Sequence, residues 1–215
     1  MILKRLKINT HIAEPTNCYI IADEIAKEAM IIDPAAEAEK IIEMIKILNV
    51  KVKYIYLTHC HADHIGATIK VQKELGGKIL IYRNGEKNLN DEKINLSGIV
   101  GTTPIILEPD SKIDDNDTLH IGNIVLKVLY TPGHTDDSTS LYCEEYKMLF
   151  SGDTMFNGTW GRTDLPTSDF NSIMNSISNK ILTLPEDTIV YPGHGKSTII
   201  KDEKPIYLEL KPKFE

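Results

Sequence analysis

The spacing of apolar residues in the first half of the chain alternates between strand-like and helix-like patterns. Short apolar runs at residues 17–22 and 29–33 predict two strands, and the second run ends at the turn Asp33-Pro34. Residues 36–48 then switch to a helical period that places the apolar side chains on one face. The other elements predicted in this half are a strand at 52–57, a helix at 65–75 closed by Gly76-Gly77, and a strand at 78–82.

The second half repeats this mixture of strands and helices. Two apolar runs, 118–120 and 124–130, flank Gly122-Asn123, which is a strong signal for a β-hairpin. A helix is predicted at about 168–182 because its apolar residues recur at the helical period. The other predicted strands are 139–143, 147–151 and 188–191. Because both halves contain strands and helices, the pattern predicts two sheets packed on each other with helices outside them.

The composition is that of an ordinary globular protein, so we expect one α/β domain that spans residues 1–215. Of the 215 residues, 41% are hydrophobic and 26% are charged. The net charge of −7 and the lack of any stretch dominated by Lys or Arg argue against a nucleic-acid partner, which requires a basic surface. No apolar run reaches membrane-spanning length, and the N-terminal residues lack the apolar segment of a signal peptide. We therefore expect a cytoplasmic protein without a membrane partner.

The three cysteines, Cys18, Cys60 and Cys143, are far apart in the chain and form no Cys-x-x-Cys pair. Neither a zinc ribbon nor a disulfide framework is therefore indicated. We expect each cysteine to be a small buried apolar residue in a reducing compartment.

Residues 58–64 carry the clearest chemical signal, because three histidines and one aspartate follow directly after a predicted strand. Imidazole and carboxylate groups this close together are typical ligands for one or two metal ions. His59 and His61 are two residues apart, so an extended backbone turns both rings to one side and the intervening cysteine to the other. Asp63 and His64 come one turn later and can face a second ion about 3.5–4 Å from the first.

Three later residues, His134, Asp153 and His194, also follow predicted strands. Each of the two histidines comes directly after a Pro-Gly turn. The two carboxylate oxygens of Asp153 can bridge a pair of cations. Strand ends at one edge of a sheet place such side chains in a shared cleft. Two neighbouring cations lower the pKa of a shared water to about 7, which supplies a hydroxide nucleophile at neutral pH.

The order and spacing of these residues resemble the metallo-β-lactamase superfamily. Its general pattern is His-x-His-x-Asp-His, followed by a separate histidine, aspartate and histidine. Longer matches, from about Asn17 to Thr198, resemble the hydroxyacylglutathione hydrolase (glyoxalase II) branch. These longer matches are Thr58-His-x-His-x-Asp-His-Ile-Gly66, Thr131-Pro-Gly-His-Thr-Asp136, Gly152-Asp-Thr-Met-Phe156, Gly161-Arg-Thr-Asp-Leu-Pro166 and Pro192-Gly-His-Gly195.

This resemblance implies an αββα four-layer sandwich with a dinuclear metal site at the sheet edge. One ion would be held by His59, His61 and His134, and the other by Asp63, His64 and His194, with Asp153 bridging both. Asp63 and Asp153 are also the predicted catalytic residues, together with a metal-bound hydroxide that attacks a thioester carbonyl. The implied cofactors are two divalent ions, with zinc as the first expectation and iron or manganese as alternatives.

The chain departs from the glyoxalase II pattern in the part that recognises the substrate. Long-form enzymes carry a C-terminal helical domain that helps to bind glutathione, whereas only 21 residues follow His194, so a short form is expected. Arg162 stands where those enzymes have a lysine that contacts glutathione, and it could bind a carboxylate through two hydrogen bonds or pair with Asp164. Lys196 replaces a tyrosine of the family. Arg162 and Lys196 are the predicted substrate-binding residues, and the expected substrate is a small thioester of the S-2-hydroxyacylglutathione type.

Other activities of the same fold stay open at this point. Persulfide dioxygenases resemble the chain at its histidine-rich run and at residues 161–164. They use one iron held by two histidines and an aspartate, here His61 (or His59), His134 and Asp153. A lactonase or β-lactamase would use the same attack on a carbonyl, whereas the negative net charge opposes an RNA-processing nuclease. The oligomeric state is not determined by the sequence.

Several neighbouring polar residues have two interpretations. Asp33 closes a strand and could orient a metal-binding histidine or serve as a turn residue. Thr58 could hydrogen-bond to a ligand in the same way or to the local backbone. His11 and His120 lack a ligand-like context and are expected at the surface or in turns. Trp160 could line the pocket, although packing in the core is the simpler expectation.

Overall fold

The structure is a computed structural model that describes residues 1–10, 14–98 and 104–210. Its strands, in chain order, are β1 Ile2–Ile8, β2 Thr16–Asp23, β3 Glu28–Ile32, β4 Lys51–Tyr56, β5 Lys78–Tyr82, β6 Ser111–Ile113, β7 Thr118–Ile121, β8 Ile124–Tyr130, β9 Thr139–Cys143, β10 Met148–Gly152, β11 Met155–Phe156, β12 Thr159–Trp160, β13 Ile189–Pro192 and β14 Thr198–Ile199. The first sheet has the order β1-β2-β3-β4-β5-β6, and the second has the order β14-β13-β10-β9-β8-β7. β11 and β12 form a hairpin of their own.

Helices cover the outer faces of the two sheets. In chain order they are α1 Ala38–Leu48, α2 Ala62–Ile65, α3 Thr68–Leu75, α4 Gly85–Leu89, α5 Phe170–Ser176 and α6 Ile200–Leu210. A wider, π-helical turn at residues 177–181 continues α5. The side chain of Asp169 caps α5 by accepting a hydrogen bond from the Ser172 N–H at 2.7 Å, which satisfies one of the free donors at the helix start.

The core consists of three apolar layers, because successive side chains of each central strand point to opposite faces. Along β2, Cys18 and Ile20 belong to the layer shared with α1, whereas Tyr19 and Ile21 lie between the two sheets. A third layer fills the space between the second sheet and α5 and α6, where Ile173 is fully buried. The order of layers is therefore helix, sheet, sheet, helix, and the predicted αββα sandwich is confirmed.

Most strands occur where the sequence pattern predicts them, and one predicted helix forms two separate helices in the structure. The predicted helix at 65–75 consists of α2 and α3, because the Ala67 N–H donates to the Pro34 carbonyl at 2.9 Å instead of continuing α2. Gly66 lies at this break, where a Cβ would come within 2.5 Å of the Ala35 carbonyl oxygen. β1 was not predicted, because this edge strand is rich in exposed charged residues and pairs with β2 alone.

The predicted burial of the cysteines is confirmed, since Cys18, Cys60 and Cys143 are all buried, and each is free. Cys60 packs in the apolar layer between the first sheet and α1, on the opposite side from its histidine neighbours. Within the described part of the chain, no helix combines the length and the apolar character needed to span a bilayer.

The direction of the strands brings four loops together at one edge of the sandwich. β3 and β4 are parallel in the first sheet, and β10 and β13 are parallel in the second, so within each pair the carboxyl ends lie side by side. The two sheets meet at this edge, where the Thr139 N–H donates to the Thr58 carbonyl at 2.9 Å. The backbone of Thr16 also forms a bridge with His194. Loops from both sheets therefore face a common space.

Candidate metal centre

All seven predicted ligands lie in this common space. They follow the carboxyl ends of four strands: β4 precedes His59, His61, Asp63 and His64, β8 precedes His134, β10 precedes Asp153, and β13 precedes His194. Three overlapping sets of donor atoms lie within 4.8 Å of one another: His59 with His61 and His134, His59 with His64 and Asp153, and Asp63 with His64 and His194. The fold therefore brings together every residue of the predicted metal site.

The first group of donors contains His59, His61 and His134. The Nε2 atom of His134 lies 2.9 Å from Nδ1 of His61, so two ring nitrogens face each other. The other ring nitrogen of His134 donates its hydrogen to the Arg162 carbonyl oxygen at 2.9 Å. This bond selects the tautomer in which the Nε2 lone pair faces the group, as a metal ligand requires.

The second group contains Asp63, His64 and His194. The two Nε2 atoms of His64 and His194 lie 3.2 Å apart, and His194 Nε2 lies 3.4 Å from Asp63 Oδ2. Nδ1 of His64 donates to Oδ2 of Asp33 at 2.9 Å, which again leaves the Nε2 lone pair for the group. The structure thus favours the orienting interpretation of Asp33 over the turn interpretation.

Asp33 also reaches the first group through Thr58. Its carboxylate accepts hydrogen bonds from the Thr58 N–H at 2.8 Å and from the Thr58 hydroxyl at 2.7 Å. The Thr58 oxygen lies 3.0 Å from Nδ1 of His59 and can accept its hydrogen. One buried carboxylate therefore orients a histidine of each group.

Asp153 lies between the two groups. Its Oδ1 is 3.4 Å from Nε2 of His64, and its Oδ2 is 3.6 Å from Nε2 of His134 and 3.4 Å from Nε2 of His194. Gly193 allows this approach, because a Cβ there would come within 2.2 Å of Asp153 Oδ1. The position between the groups is the one that a bridging carboxylate requires.

The buried polar atoms of the cluster fit cations. Two atoms that face the groups, His59 Nε2 and Asp153 Oδ1, make no hydrogen bond within the described structure. The same is true of His61 Nε2 and His194 Nδ1, which lie on the far sides of rings whose other nitrogens face the groups. Buried polar atoms are nearly always hydrogen-bonded, so several exceptions in one cluster need an explanation. Nitrogen and oxygen donors around a small space suit zinc, iron or manganese ions.

Protonation divides the histidines of the cluster into two classes. Burial lowers the pKa of His59, and it lowers that of His61 to about 3, so both rings are neutral and keep their lone pairs. Burial also acts to lower the pKa of His194, but the Asp153 and Asp63 carboxylates have the larger effect and raise this pKa to about 10. Burial likewise opposes ionisation of Asp63, yet His64 and His194 lower its pKa to about 2. Burial also opposes protonation of His64, but the Asp153, Asp63 and Asp33 carboxylates raise its pKa well above its usual value. A cation that binds here must therefore displace a proton from both His64 and His194.

A cavity of about 740 Å³ opens onto the cluster. Both predicted substrate-binding residues, Arg162 and Lys196, line it and are exposed. The Arg162 guanidinium makes two hydrogen bonds of 2.9 Å to the Asp164 carboxylate, so the ion pair considered above is present.

The cavity is also lined by residues that the sequence did not predict to line a pocket: Glu14, Leu96, Phe156, Asn157, Thr159, Gly161, Leu165, Pro166 and Gly195. Three of these belong to the β11–β12 hairpin. The Asn157-Gly158 dipeptide is a strong hairpin signal and could have revealed it. Of the two histidines expected outside the site, His120 is exposed on β7, and His11 lies outside the described residues.

Comparisons with known proteins agree with this geometry. A family model described as the metallo-beta-lactamase superfamily matches residues 11–194. The chain is 34% identical over 192 residues to the hydroxyacylglutathione hydrolase GloC of Haemophilus influenzae, a match that covers 87% of this chain and 89% of GloC. It is 32% identical over 186 residues to the human mitochondrial persulfide dioxygenase ETHE1, covering 84% of this chain and 65% of ETHE1.

Solved structures give the same result. The BLEG-1 B3 metallo-beta-lactamase superimposes with a TM-score of 0.88 at 35% identity and covers 95% of this chain and 97% of its own. The di-iron-bound form of TTHA1623 superimposes with a TM-score of 0.82 at 26% identity and covers 94% of this chain and 96% of its own. Together with the family match, these similarities show that the chain belongs to the metallo-beta-lactamase superfamily.

Proposed function

We propose that the protein is a dinuclear metal-dependent hydrolase that cleaves a small anionic thioester, of which S-2-hydroxyacylglutathione is the simplest candidate. The position of Asp153 between two groups of donors carries this proposal. A carboxylate so placed suits two adjacent cations better than one. The similarity to a structure solved in a di-iron-bound form supports a count of two.

The two groups of donors divide the ions between them. One ion would be held by His59, His61 and His134, and the other by Asp63, His64 and His194, with Asp153 shared. Two divalent ions supply Lewis acidity and lower the pKa of water to about 7. Zinc is our first expectation, and the same donors suit iron or manganese.

Two carboxylates of this chain face the place where a water molecule would attack. Asp63 and Asp153 line the cavity, and the neighbouring histidines lower the pKa of both although burial opposes it, so both are ionised at neutral pH. We propose that they accept hydrogen bonds from the attacking water and hold it towards the carbonyl carbon. The leaving thiol has an ordinary pKa of about 8.5, so it departs as a thiolate without a strong acid.

The entrance of the cavity favours an anionic substrate. Arg162 and Lys196 place two cations on its lining, although the protein as a whole carries a net charge of −7. Among the described residues outside the cluster, the lining carries one carboxylate, that of Glu14, and Arg162 is also paired with the exposed Asp164. Leu96, Phe156 and Leu165 give the same cavity apolar walls that can contact an acyl group. A carboxylate-bearing carrier thiol matches this combination, and the similarity to a hydroxyacylglutathione hydrolase supports glutathione as that carrier.

The direct test is metal analysis paired with a panel of thioesters. We expect purified, metal-loaded protein to contain about two ions per chain and to release free thiol from S-lactoylglutathione. Thiol release would be followed with a chromogenic thiol reagent, with chelator-treated protein as the control. A metal-loaded sample that releases no thiol from any member of the panel would contradict the proposal.

A second candidate is a persulfide dioxygenase, which the similarity to ETHE1 favours. His61 (or His59), His134 and Asp153 lie close enough together to hold a single iron, and their donor set suits oxygen chemistry. If the purified protein contains about one iron per chain and takes up oxygen rapidly with glutathione persulfide, the dioxygenase function replaces the hydrolase function as our proposal.

Replacing Arg162 with alanine should weaken substrate binding selectively. We expect KM for an anionic thioester to rise about tenfold, because a charge-assisted hydrogen bond to the substrate is lost at an exposed site. Metal content and kcat should stay unchanged, as measured by elemental analysis and steady-state kinetics. Arg83→Ala is the matched control, because Arg83 is also exposed and paired with an aspartate, Asp114, but lies outside the cavity. An unchanged KM in Arg162→Ala would remove Arg162 from the substrate site.

A further inference from the structure

Glu203 is a buried carboxylate that belongs to no part of the metal cluster. Glu203 lies on α6 and is 1% exposed. Among the residues that the structure describes, no positively charged side chain forms an ion pair with it. Its two oxygens accept hydrogen bonds from the Gly158 N–H at 3.1 and 3.0 Å. The Thr198 hydroxyl donates to Oε1 at 2.6 Å, and the Asn157 amide lies 3.5 Å from the same atom.

This arrangement ties α6 to the β11–β12 hairpin. Burial of a carboxylate is costly unless hydrogen bonds compensate for it, and here the turn of the hairpin supplies two of the donor groups. A second contact lies one turn further along α6, where the Tyr207 hydroxyl donates to the Thr159 carbonyl at 2.7 Å. α6 therefore holds the hairpin at its turn and on its second strand.

The hairpin needs such support. Its two strands pair with each other through only two residue pairs, Met155 with Trp160 and Phe156 with Thr159. Isolated two-stranded hairpins are marginally stable in water. Its first strand is also anchored by the buried Met155 side chain and by the Ser151 hydroxyl, which donates to the Met155 carbonyl at 2.8 Å. The hydrogen bonds from α6 add support at the turn and on the second strand, which these contacts do not reach.

The same hairpin forms one wall of the cavity. Phe156, Asn157 and Thr159 line it, and the ring of Phe156 lies edge-on to that of His194 at 6.1 Å between centroids. A shift of the hairpin would therefore change the shape of the cavity next to the metal cluster. Five of the predicted metal ligands, His59, His61, Asp63, His64 and His194, have no link to the hairpin through the neighbouring chain, because they follow strands β4 and β13 of the two large sheets. Asp153 lies two residues before the hairpin, and His134 bonds to the Arg162 carbonyl two residues after it.

We propose that Glu203 is a positioning residue for substrate binding, which acts by holding the hairpin of residues 155–160 in place as a wall of the pocket. The substrate part of this proposal rests on the thioesterase function proposed above. The position of the hairpin itself can be measured independently, because Trp160 is the only tryptophan of the chain and lies on β12. Its ring is partly buried and lies 6.0 Å from that of Tyr207.

The test compares Glu203→Gln with Asp202→Asn in the full-length, metal-loaded protein. Glutamine removes the negative charge and places an amide N–H at the position of Oε2, which accepts from the Gly158 N–H at 3.0 Å. Asp202 is an exposed neighbour on the same helix. In Glu203→Gln we expect a red-shifted Trp160 emission and a KM raised about tenfold, with kcat within about twofold and metal content unchanged. Asp202→Asn should match the wild type in all four measurements.

A second variant guards against a folding defect. Tyr207→Phe removes only the hydroxyl that contacts Thr159, and we expect the same changes at smaller size. Should Glu203→Gln fail to fold, Glu203→Asp decides the proposal by its emission and KM, because aspartate keeps the charge but is too short to keep both contacts with the Gly158 N–H.

Three results would overturn the proposal. They are an unchanged Trp160 emission, a red shift with an unchanged KM, and a parallel loss of kcat and metal content, which would indicate a general structural role. If the wild type hydrolyses no thioester, the proposed function fails separately, and the emission of Trp160 alone then decides whether Glu203 holds the hairpin.

Discussion

Asp153→Ala is expected to abolish binding of the second metal ion and to lower the thioesterase activity by about 10³-fold. Asp153 is the donor that lies within 3.4–3.6 Å of histidines from both groups. Without Asp153, Asp63 is the only carboxylate among the six remaining predicted ligands. Neutral imidazoles cannot screen the repulsion between two adjacent divalent ions. Elemental analysis after gel filtration and steady-state kinetics would measure the two effects.

The matched control for this substitution is Asp187→Ala. Asp187 is an exposed aspartate that pairs with Lys147 and belongs neither to the metal cluster nor to the lining of the cavity. Its loss should leave metal content and activity unchanged. Circular dichroism would show that both variants are folded. If Asp153→Ala retained two ions and its activity, the bridging role of Asp153 would be refuted.

Asp33→Ala is expected to lower the affinity for metal ions by about 10–100-fold and to reduce the free energy of unfolding by about 2–4 kcal/mol. Asp33 accepts hydrogen bonds from the Thr58 N–H, the Thr58 hydroxyl and His64 Nδ1. Alanine would leave these buried donors without an acceptor and would free the His64 ring to rotate. Chelator competition and thermal unfolding would measure the affinity and the stability.

Asp23→Ala separates the two effects of Asp33→Ala. Asp23 is a buried aspartate at the last position of β2, whereas the first residue of that strand, Thr16, lies beside His194. Asp23 accepts hydrogen bonds from the Ile25, Ala26 and Asn123 N–H groups. Its loss should destabilise the fold but leave the affinity for metal unchanged. If Asp33→Ala bound metal as tightly as Asp23→Ala does, Asp33 would have only a structural role.

The hairpin β7–β8 and the helix α1 illustrate how much of the fold is predictable from local pattern. The hairpin follows from two apolar runs around Gly122-Asn123, and α1 follows from a helical apolar period. By contrast, the break between α2 and α3 depends on a hydrogen bond from Ala67 to Pro34, which no local pattern encodes. β1 was not predicted, because the composition of this charged edge strand resembles that of a solvated loop.

For the candidate site, the sequence by itself determined the kinds of donor and the spacing within residues 58–64. That spacing is local, since two residues of extended backbone turn His59 and His61 to the same side. The sequence also placed His134, Asp153 and His194 after predicted strands, and the family resemblance assigned these three residues to the same site. Their proximity is now observed, and their role as metal ligands stays a prediction.

Only the tertiary structure decided which contacts join distant parts of the chain. Asp33 and Thr58 are 25 positions apart, and Gly158 and Glu203 are 45 positions apart. Such contacts depend on which strands pair and on how helices pack against them, so local propensity carries no record of them. For this reason the chemistry of the site could be recognised in the sequence, whereas the link from Asp33 to both groups of ligands and the support of the pocket wall by α6 emerged only from the folded chain.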